Sequence, residues 1–515
     1  MEEALKPWHS LPKITMARRM AGATAACACV LTGALFTSAY AALADRHCAD
    51  GHLLQPPEQH ASSGNCIEDL PNAIDTILRA ALAASALWGA EIRSEELGLL
   101  YARNANSSFI PASNTKLLMA SAALLRLGEG FRWQTTAYLG PSGVVCVDAV
   151  GDPSLSQARL EELLKRLATA APGVRAELQL AHSTSSPPPT WEYGDLSHSY
   201  GAEPAAATID GNTVVVTVAA GASEGAPLQA SFAPPSAASM FRVDTNRSRT
   251  AAPGSASSVT AVYELDALGQ LVLVLDGSLG LGAPSVSLTR SVRPASRLFA
   301  SHLREAARLA GFGALEVTML PVGVGCTSGA ASASTESEAL LPLLNQTLQE
   351  SDNLYAELTL RAIGRGSVSD GLAATATAIS SLGVSSASVM HVDGSGLSRH
   401  NVASPAFFVA LLEAMRSTAL RDLLPVSGRT GTLAHRFIGT PAEGIVHAKT
   451  GTMTGVSALS GYLRHADPAV GEIVFSLLGN NVPAYGGALR QFQDAIVIAI
   501  AKARHCGGSR AGGIA

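Results

Sequence analysis

Phe109-Ile110-Pro111-Ala112-Ser113-Asn114-Thr115-Lys116 leads into Leu117-Leu118-Met119-Ala120-Ser121-Ala122-Ala123-Leu124-Leu125, and the pairing of Ser113 with Lys116 governs how the rest of the chain is read. The run from Ser113 to Leu127 is apolar on nearly every side, which predicts a buried helix. Ser113 follows a Pro-Ala step, where helices take an N-cap, and for an isolated serine a cap is the ordinary explanation. Lys116 is less ordinary. It falls one turn on, on the same face as Ser113, and an apolar helix seldom buries a lysine without a reason. The chain holds only six lysines in 515 residues, with arginine about five times as frequent. An ammonium crowded by apolar groups or by another cation can lose its proton, and a guanidinium cannot. A lysine kept here therefore points to a base for the Ser113 hydroxyl, with the helix N-terminus favouring the negative charge that develops.

Two later stretches complete a set. Ser351-Asp352-Asn353 lies 238 positions after Ser113 and is weak alone, since Ser and Asn fill many loops. Its chemical reading is a hydroxyl that relays a proton to a leaving amine, and a carboxamide that grips a peptide backbone. Lys449-Thr450-Gly451-Thr452 is stronger, because Lys449 stands late in an apolar strand. Gly451 lets another backbone come close, and an edge strand there can hold an extended peptide. Lys449, Thr450 and Thr452 offer one cation and two hydroxyls to a terminal carboxylate. The backbone N–H groups of Ser113 and Thr452 are candidates for an oxyanion hole. All three stretches in order, using two of the four lysines beyond residue 44, make coincidence a poor explanation. The order Ser-x-x-Lys, Ser-x-Asn, Lys-Thr-Gly is shared by serine enzymes that cut D-Ala-D-Ala peptides or are acylated by penicillin.

Bulk properties narrow the field. With 47% hydrophobic and 15% charged residues the composition is globular, and a net charge of −5 with no internal Lys/Arg run offers nucleic acid no basic face. Residues 1–44 read as an address. Arg18-Arg19 precede the apolar stretch Ala21 to Tyr40, and Ala39-Tyr40-Ala41 and Ala42-Leu43-Ala44 are small-x-small cleavage sites. The expectation is export to the periplasm with the segment removed. An uncleaved anchor is the alternative, and any membrane association of the rest is peripheral. Met16 is a candidate start. Beyond residue 44 stand Cys48, Cys66, Cys146, Cys326 and Cys506, an odd number, so at least one thiol is left over or pairs between chains. Cys48–Cys66, closing a loop in a polar tail, and Cys146–Cys326, joining the two ends of the middle region, are the pairings expected. No Cys-x-x-Cys occurs and the histidines are scattered, so neither a metal nor an organic cofactor is expected.

The chain divides by texture. Residues 45–66 are a polar tail. Residues 67–127 hold a helix over 70–84, strands at Leu87–Ile92 and Gly98–Ala102, and the Ser113 helix. Residues 128–325 turn Pro-, Ser- and Gly-rich with β-like runs such as Thr213–Val218 and Gln270–Leu275, and end in a helix over 295–310. Residues 326–505 return to a mixed pattern: helical periodicity over 339–363, an apolar helix over 405–415, an antiparallel meander over 445–453, 455–463 and 472–479, and a closing helix over 485–502. Residues 506–515 form a loose end. The fold class is α+β: an antiparallel sheet with helices on both faces, interrupted by a long β-rich insert.

Here the chain resembles the type-4, class C penicillin-binding proteins, the S13 peptidase family of D-alanyl-D-alanine carboxypeptidase/endopeptidases. The likeness runs from about residue 70 to residue 500. Besides the three motifs it includes Gly151-Asp152-Pro153-Ser154-Leu155, Asp393-Gly394-Ser395-Gly396-Leu397-Ser398-Arg399, and Leu424-Pro425-Val426-Ser427-Gly428 followed by Gly431-Thr432-Leu433. It implies a β-lactamase/transpeptidase-like domain, with the insert corresponding to two extra subdomains. It also implies Ser113 as the acylated nucleophile and Lys116 as the base, with Ser351, Asn353, Lys449, Thr450 and Thr452 completing the site. Arg399 then helps bind the side chain of a peptidoglycan stem peptide, and β-lactams are covalent inhibitors. One departure stands out. Where the family carries an aspartate reaching toward the free amine of the diamino acid, Ala181-His182-Ser183-Thr184-Ser185 has His182, which cannot neutralise an ammonium. Asp152 reads as a turn former. Two rivals remain: a β-lactamase, opposed by the long insert and the lack of a Glu-x-x-Leu-Asn motif, and a silent wall-binding protein, opposed by the buried lysines.

Overall fold

The structure, a computed structural model, describes residues 66–506 apart from 141–142, 171–176, 182–186, 267–269, 313–315, 322–323, 328, 330 and 483–485. The expected export segment, the polar tail through residue 65 with Cys48, His182, and residues 507–515 of the expected loose end lie outside the described residues.

The centre is a five-stranded sheet in the order Val446–Met453, Val456–Arg464, Glu472–Asn480, Leu87–Ser94, Gly98–Arg103, antiparallel throughout. The meander supplies one half, and the N-terminal hairpin closes onto its third strand. Because side chains alternate across a strand, each inner strand serves two cores. Ala458, Tyr462, Val474 and Leu478 face one cluster with the helices Thr115–Arg126 and Pro405–Ala414. Leu459, Leu463, Ile473 and Phe475 face another with Leu70–Leu78 and Arg490–Lys502. Both faces being covered explains why these strands are apolar nearly end to end. The Tyr462 hydroxyl is buried but donates to Leu412 O at 2.7 Å, so its polar tip is satisfied. The helix expected over 70–84 comes as two pieces, Leu70–Leu78 and Ala81–Ala84.

The insert carries a mixed five-stranded sheet, Val317–Met319, Glu177–Ala181, Val144–Asp148, Gln134–Leu139, Ala331–Glu336, and two three-stranded sheets. Two helices, Gln157–Ala170 and Ala295–Leu309, pack against each other, and residues from all three sheets share one apolar cluster. Gln157–Ala170 is a helix that the β-rich reading lacks, although Leu160, Leu163, Leu164 and Leu167 are buried at helical spacing. Strand Ala331–Glu336 pairs with Gln134–Leu139, so the insert's sheet extends past residue 325, where the sequence reading ended the insert.

Among the described residues there are two disulfides. Cys146–Cys326 forms as expected. Cys66 bonds to Cys506, 440 positions away, in place of Cys48. The cause is tertiary: Ile67 N donates to Arg504 O at 2.8 Å, laying the two ends of the domain side by side. Among the described residues no helix is long and apolar enough to cross a membrane.

Candidate active site

Ser113 sits in a single 3₁₀ turn, Ala112–Asn114, that feeds the helix Thr115–Arg126. Neither piece has a side-chain N-cap, so the ordinary capping role for Ser113 does not apply. Its Oγ instead accepts from Lys116 Nζ at 3.1 Å. Two close approaches fix this turn. A Cβ at Gly451 would lie 2.7 Å from Pro111 O, and one at Gly396, whose φ is +82°, would lie 2.0 Å from Ala112 O. Only glycine allows the Lys449 strand and the 393–398 loop to come this near.

Lys116 is fully buried. Besides Ser113 it donates to Asn353 Oδ1 at 2.6 Å and to Ser395 O at 2.6 Å, so each ammonium hydrogen has an acceptor. Burial lowers its pKa to about 8, against the opposing pull of Asp393, Asp352 and Glu357. The result is an amine with a useful neutral fraction near neutral pH.

Lys449, also fully buried, donates to Ser351 Oγ at 2.9 Å and to Thr450 O at 3.0 Å. Burial first, and the Lys116 charge second, hold its pKa well below the ordinary lysine value. Ser351 has a φ of +62° and breaks the periodicity of 339–363 into the helices Leu340–Gln349 and Asn353–Ile363. Asp352 caps the second helix, accepting from Tyr355 N at 3.0 Å. The middle residue of the motif is thus architectural, and its neighbours aim into the site.

Asn353 is held from both ends. Oδ1 accepts from Lys116, and Nδ2 donates to Tyr200 O at 2.8 Å. That second bond comes from the insert and fixes which way the amide points. The 393–398 loop is pinned as well. Asp393 accepts from Gly396 N and Ser398 N, each at 2.8 Å, and from Trp191 Nε1 at 3.1 Å. Glu357 Oε1 accepts from Gly394 N at 3.0 Å and Ser395 N at 2.8 Å, and burial with the Asp393 charge raises its pKa. Together they hold Ser395 O against Lys116.

Ser113 opens into a cavity of about 320 Å³ lined by Ser351, Thr432, Arg436, Thr450, Gly451, Thr452 and Arg490. Thr450 Oγ1 donates to Thr432 Oγ1 at 2.8 Å, and Arg490 Nη2 donates to Thr452 Oγ1 at 3.3 Å. The structure therefore brings Ser113, Lys116, Ser351, Asn353, Lys449, Thr450, Gly451 and Thr452 to one place. Arg399 stands apart. It does not line this cavity, and it is engaged with Glu192 Oε1 at 2.6 Å and Thr454 O at 3.0 Å. Asp152 accepts from Ser154 N at 2.9 Å and pairs with Arg159 at 3.0 Å, the turn role expected of it. Sequence reasoning missed Arg436 and Arg490, which no local pattern marks in an arginine-rich chain. Thr432 appeared only as a resembling tripeptide, and Trp191 and Glu357 not at all.

Residues 70–503 match the model of the D-Ala-D-Ala carboxypeptidase 3 (S13) family. The chain is 32% identical over 476 residues to D-alanyl-D-alanine carboxypeptidase of Actinomadura sp., an alignment spanning 86% of each chain. It is 29% identical over 443 residues to penicillin-sensitive carboxypeptidase A of Dictyostelium discoideum, covering 78% of this chain and 84% of that one. Among solved structures, penicillin binding protein 4 (dacB) from Haemophilus influenzae superposes with a TM-score of 0.72 at 22% identity, over 84% of this chain and 99% of that one. A further structure of that protein, in complex with a β-lactam, gives a TM-score of 0.66 over 80% of this chain and 97% of that one, again at 22% identity. The sheet with its two helical faces and its insert is thus a fold shared with that protein.

Proposed function

The chain belongs to the D-Ala-D-Ala carboxypeptidase 3 (S13) family, and from that premise we propose a serine DD-peptidase in which Ser113 is the nucleophile. Neutral Lys116 takes the Ser113 proton as Oγ attacks the carbonyl carbon of the penultimate D-alanine. The carbonyl oxygen becomes an oxyanion, for which the backbone N–H groups of Ser113 and Thr452 are the donors. The C–N bond then breaks. The released amine gains a proton through Ser351 Oγ, which Lys449 supports with its own hydrogen bond. Water attacks the acyl-enzyme, with Lys116 again accepting a proton, and restores Ser113.

A terminal D-alanine leaves in the carboxypeptidase reaction, and the diamino acid of a peptidoglycan crosslink leaves in the endopeptidase reaction. β-Lactams enter the same cavity and acylate Ser113. The Val446–Met453 strand at the sheet edge receives the peptide by strand addition. The expected leader directs the enzyme to the periplasm, where the wall is accessible. Arg399 is proposed to act on the stem peptide's side chain after releasing Glu192.

The observation that carries this reading is Lys116, fully buried, 3.1 Å from Ser113 Oγ, with its pKa lowered to about 8. The test is digestion of purified muropeptides by wild type and Ser113→Ala, read by mass, beside labelling with a fluorescent penicillin. Loss of D-alanine or of the crosslink in wild type alone, with a single labelled serine, is expected. Undiminished cleavage by Ser113→Ala would discard the mechanism.

A further inference from the structure

Glu357 stands on the helix Asn353–Ile363, four residues past Asn353, and is fully buried. A carboxylate taken out of water is costly without a partner for its charge. Its Oε1 accepts from Gly394 N at 3.0 Å and Ser395 N at 2.8 Å, tying down the loop whose Ser395 O receives Lys116 Nζ at 2.6 Å. That task needs no charge, because a glutamine of the same length would offer the loop the same kind of oxygen. Oε2 is buried as well and has no hydrogen-bond partner among the described residues. The charge therefore answers to groups beyond its hydrogen bonds. It interacts with Lys116 on the Ser113 helix, with Asp393 in the loop, beside which His391 lies, and with Arg361 one turn along its own helix.

Lys449 supplies the comparison. Burial and then the Lys116 charge both act downward on it, and its pKa lies well below the ordinary lysine value. Burial also lowers Lys116, but Asp393, Asp352 and Glu357 pull upward and it settles at about 8. Two of these three carboxylates have other tasks. Asp352 caps its helix, and Asp393 accepts from Gly396 N, Ser398 N, Asn401 Nδ2 and Trp191 Nε1.

We propose that Glu357 is a positioning residue for the base: it clamps Ser395 O onto Lys116 Nζ, and its negative charge, shut away from water, keeps that buried amine a strong proton acceptor. The inference rests on the reading of Lys116 as the base for Ser113. An opposite charge nearby favours the protonated amine. Without it Lys116 gives up its proton at lower pH, so more of it is neutral at pH 7, yet each neutral amine takes the Ser113 proton less readily. A pH profile separates the two effects. A residue that only held the loop would slow acylation at every pH and leave the midpoint where it was. Burial first and the Asp393 charge second raise the pKa of Glu357 itself, so its effect is present toward alkaline pH and fades as acid protonates it.

The test follows acylation by a fluorescent penicillin from neutral to alkaline pH in wild type, Glu357→Gln and Glu357→Asp, beside thermal melts. In parallel the chain's six lysines are labelled with ¹³C at Cε and titrated by NMR, the signal missing from Lys116→Arg being that of Lys116. Glu357→Gln keeps an acceptor and loses the charge. Its acylation midpoint and its Lys116 titration should both move down by about one pH unit, and its plateau rate should fall by about threefold. Glu357→Asp keeps the charge on a shorter arm, so its midpoint should stay near that of wild type even where the rate falls. An unmoved Lys116 titration in Glu357→Gln, or one displaced as far in Glu357→Asp as in Glu357→Gln, overturns the inference. A moved titration that the acylation midpoint does not follow, or that accompanies no labelling of Ser113 in wild type, removes Lys116 as the base and leaves Glu357 its hold on the amine.

Discussion

Lys116 and Lys449 are both fully buried, yet they face different hydroxyls: Lys116 donates to Ser113 Oγ at 3.1 Å, and Lys449 donates to Ser351 Oγ at 2.9 Å. The pairing divides the labour. Burial lowers the proton affinity of both amines, and the Lys116 charge lowers that of Lys449 further. Lys116 is additionally surrounded by Asp393, Asp352 and Glu357, which push its pKa back up. In the proposed mechanism, proton movement to and from Ser113 is accordingly given to Lys116, and Lys449 is given to the hydroxyl on the leaving side.

Lys116→Arg keeps the charge and removes the proposed base. A guanidinium does not lose its proton at accessible pH, so acylation by a fluorescent penicillin should slow by about 10²–10⁴-fold. On the proposed mechanism only the neutral amine of wild-type Lys116 accepts the Ser113 proton. The acylation rate should therefore rise with pH through about 8, the value set by burial of Lys116, and level off above it. Stopped-flow labelling across pH gives both results. A rate flat through that range, or an arginine variant that acylates normally, assigns the base elsewhere.

Gly396 makes the turn before Ser113 possible. With φ at +82° and Ala112 O only 2.0 Å from where a Cβ would stand, Gly396→Ala meets backbone on one side and a disfavoured conformation on the other. The cost is about 1–3 kcal/mol for overpacking, with about 1–2 kcal/mol more for the left-handed backbone. The melting temperature should drop and Ser113 should label slowly, because relief of the clash moves Ala112. A variant with wild-type melting and labelling shows that the loop is not wedged against the nucleophile's turn.

Cys66–Cys506 joins residues 440 positions apart. It holds the start of the domain to the end of the helix whose first residue, Arg490, lines the cavity. Cys506→Ser should lower stability by about 2–5 kcal/mol, seen as an earlier thermal transition in non-reducing buffer. Penicillin labelling below that transition should persist, since the helix that follows Ser113 packs through Leu117, Leu118 and Met119 in a different apolar cluster from Ile67 and Ala503 beside the bond. An unchanged melt means the terminal packing is sufficient without the bond.

Much of this was legible because burial and polarity conflicted in plain view. Lys116 inside Leu117-Leu118-Met119 and Lys449 late in an apolar strand are costly unless they do chemistry. The meander over 446–480 was readable because runs of that length between short turns pair antiparallel. Three features were hidden for identifiable reasons. The apolar period of 339–363 continues across Ser351, so nothing in it announces a φ of +62° there. The Leu160–Leu167 helix carries its period within a Pro- and Ser-rich region that otherwise forms strands. The Cys66–Cys506 bond and the Arg436–Asp494 pair depend on tertiary proximity between distant segments. No local pattern encodes them.

Asn353 offers the sharpest test of how the insert and the base are connected. Its Oδ1 takes a Lys116 hydrogen at 2.6 Å, and its Nδ2 gives one to Tyr200 O at 2.8 Å. Asn353→Asp preserves shape but puts a carboxylate beside the Lys116 ammonium. An opposite charge that close favours the charged amine, so the pKa of Lys116 must rise from about 8. The rising limb of the acylation profile should then move to higher pH. At neutral pH labelling should fall by tenfold or more, while a plateau at high pH recovers part of the rate. The other carboxylate oxygen meets Tyr200 O without a hydrogen between them, which costs about 1–3 kcal/mol and loosens the insert against the site. Acylation measured from neutral to alkaline pH, beside a thermal melt, separates the two effects. A limb that stays near the wild-type pH, with stability lost, limits Asn353 to docking the insert. A shifted limb makes it the group that sets the working pH of the base.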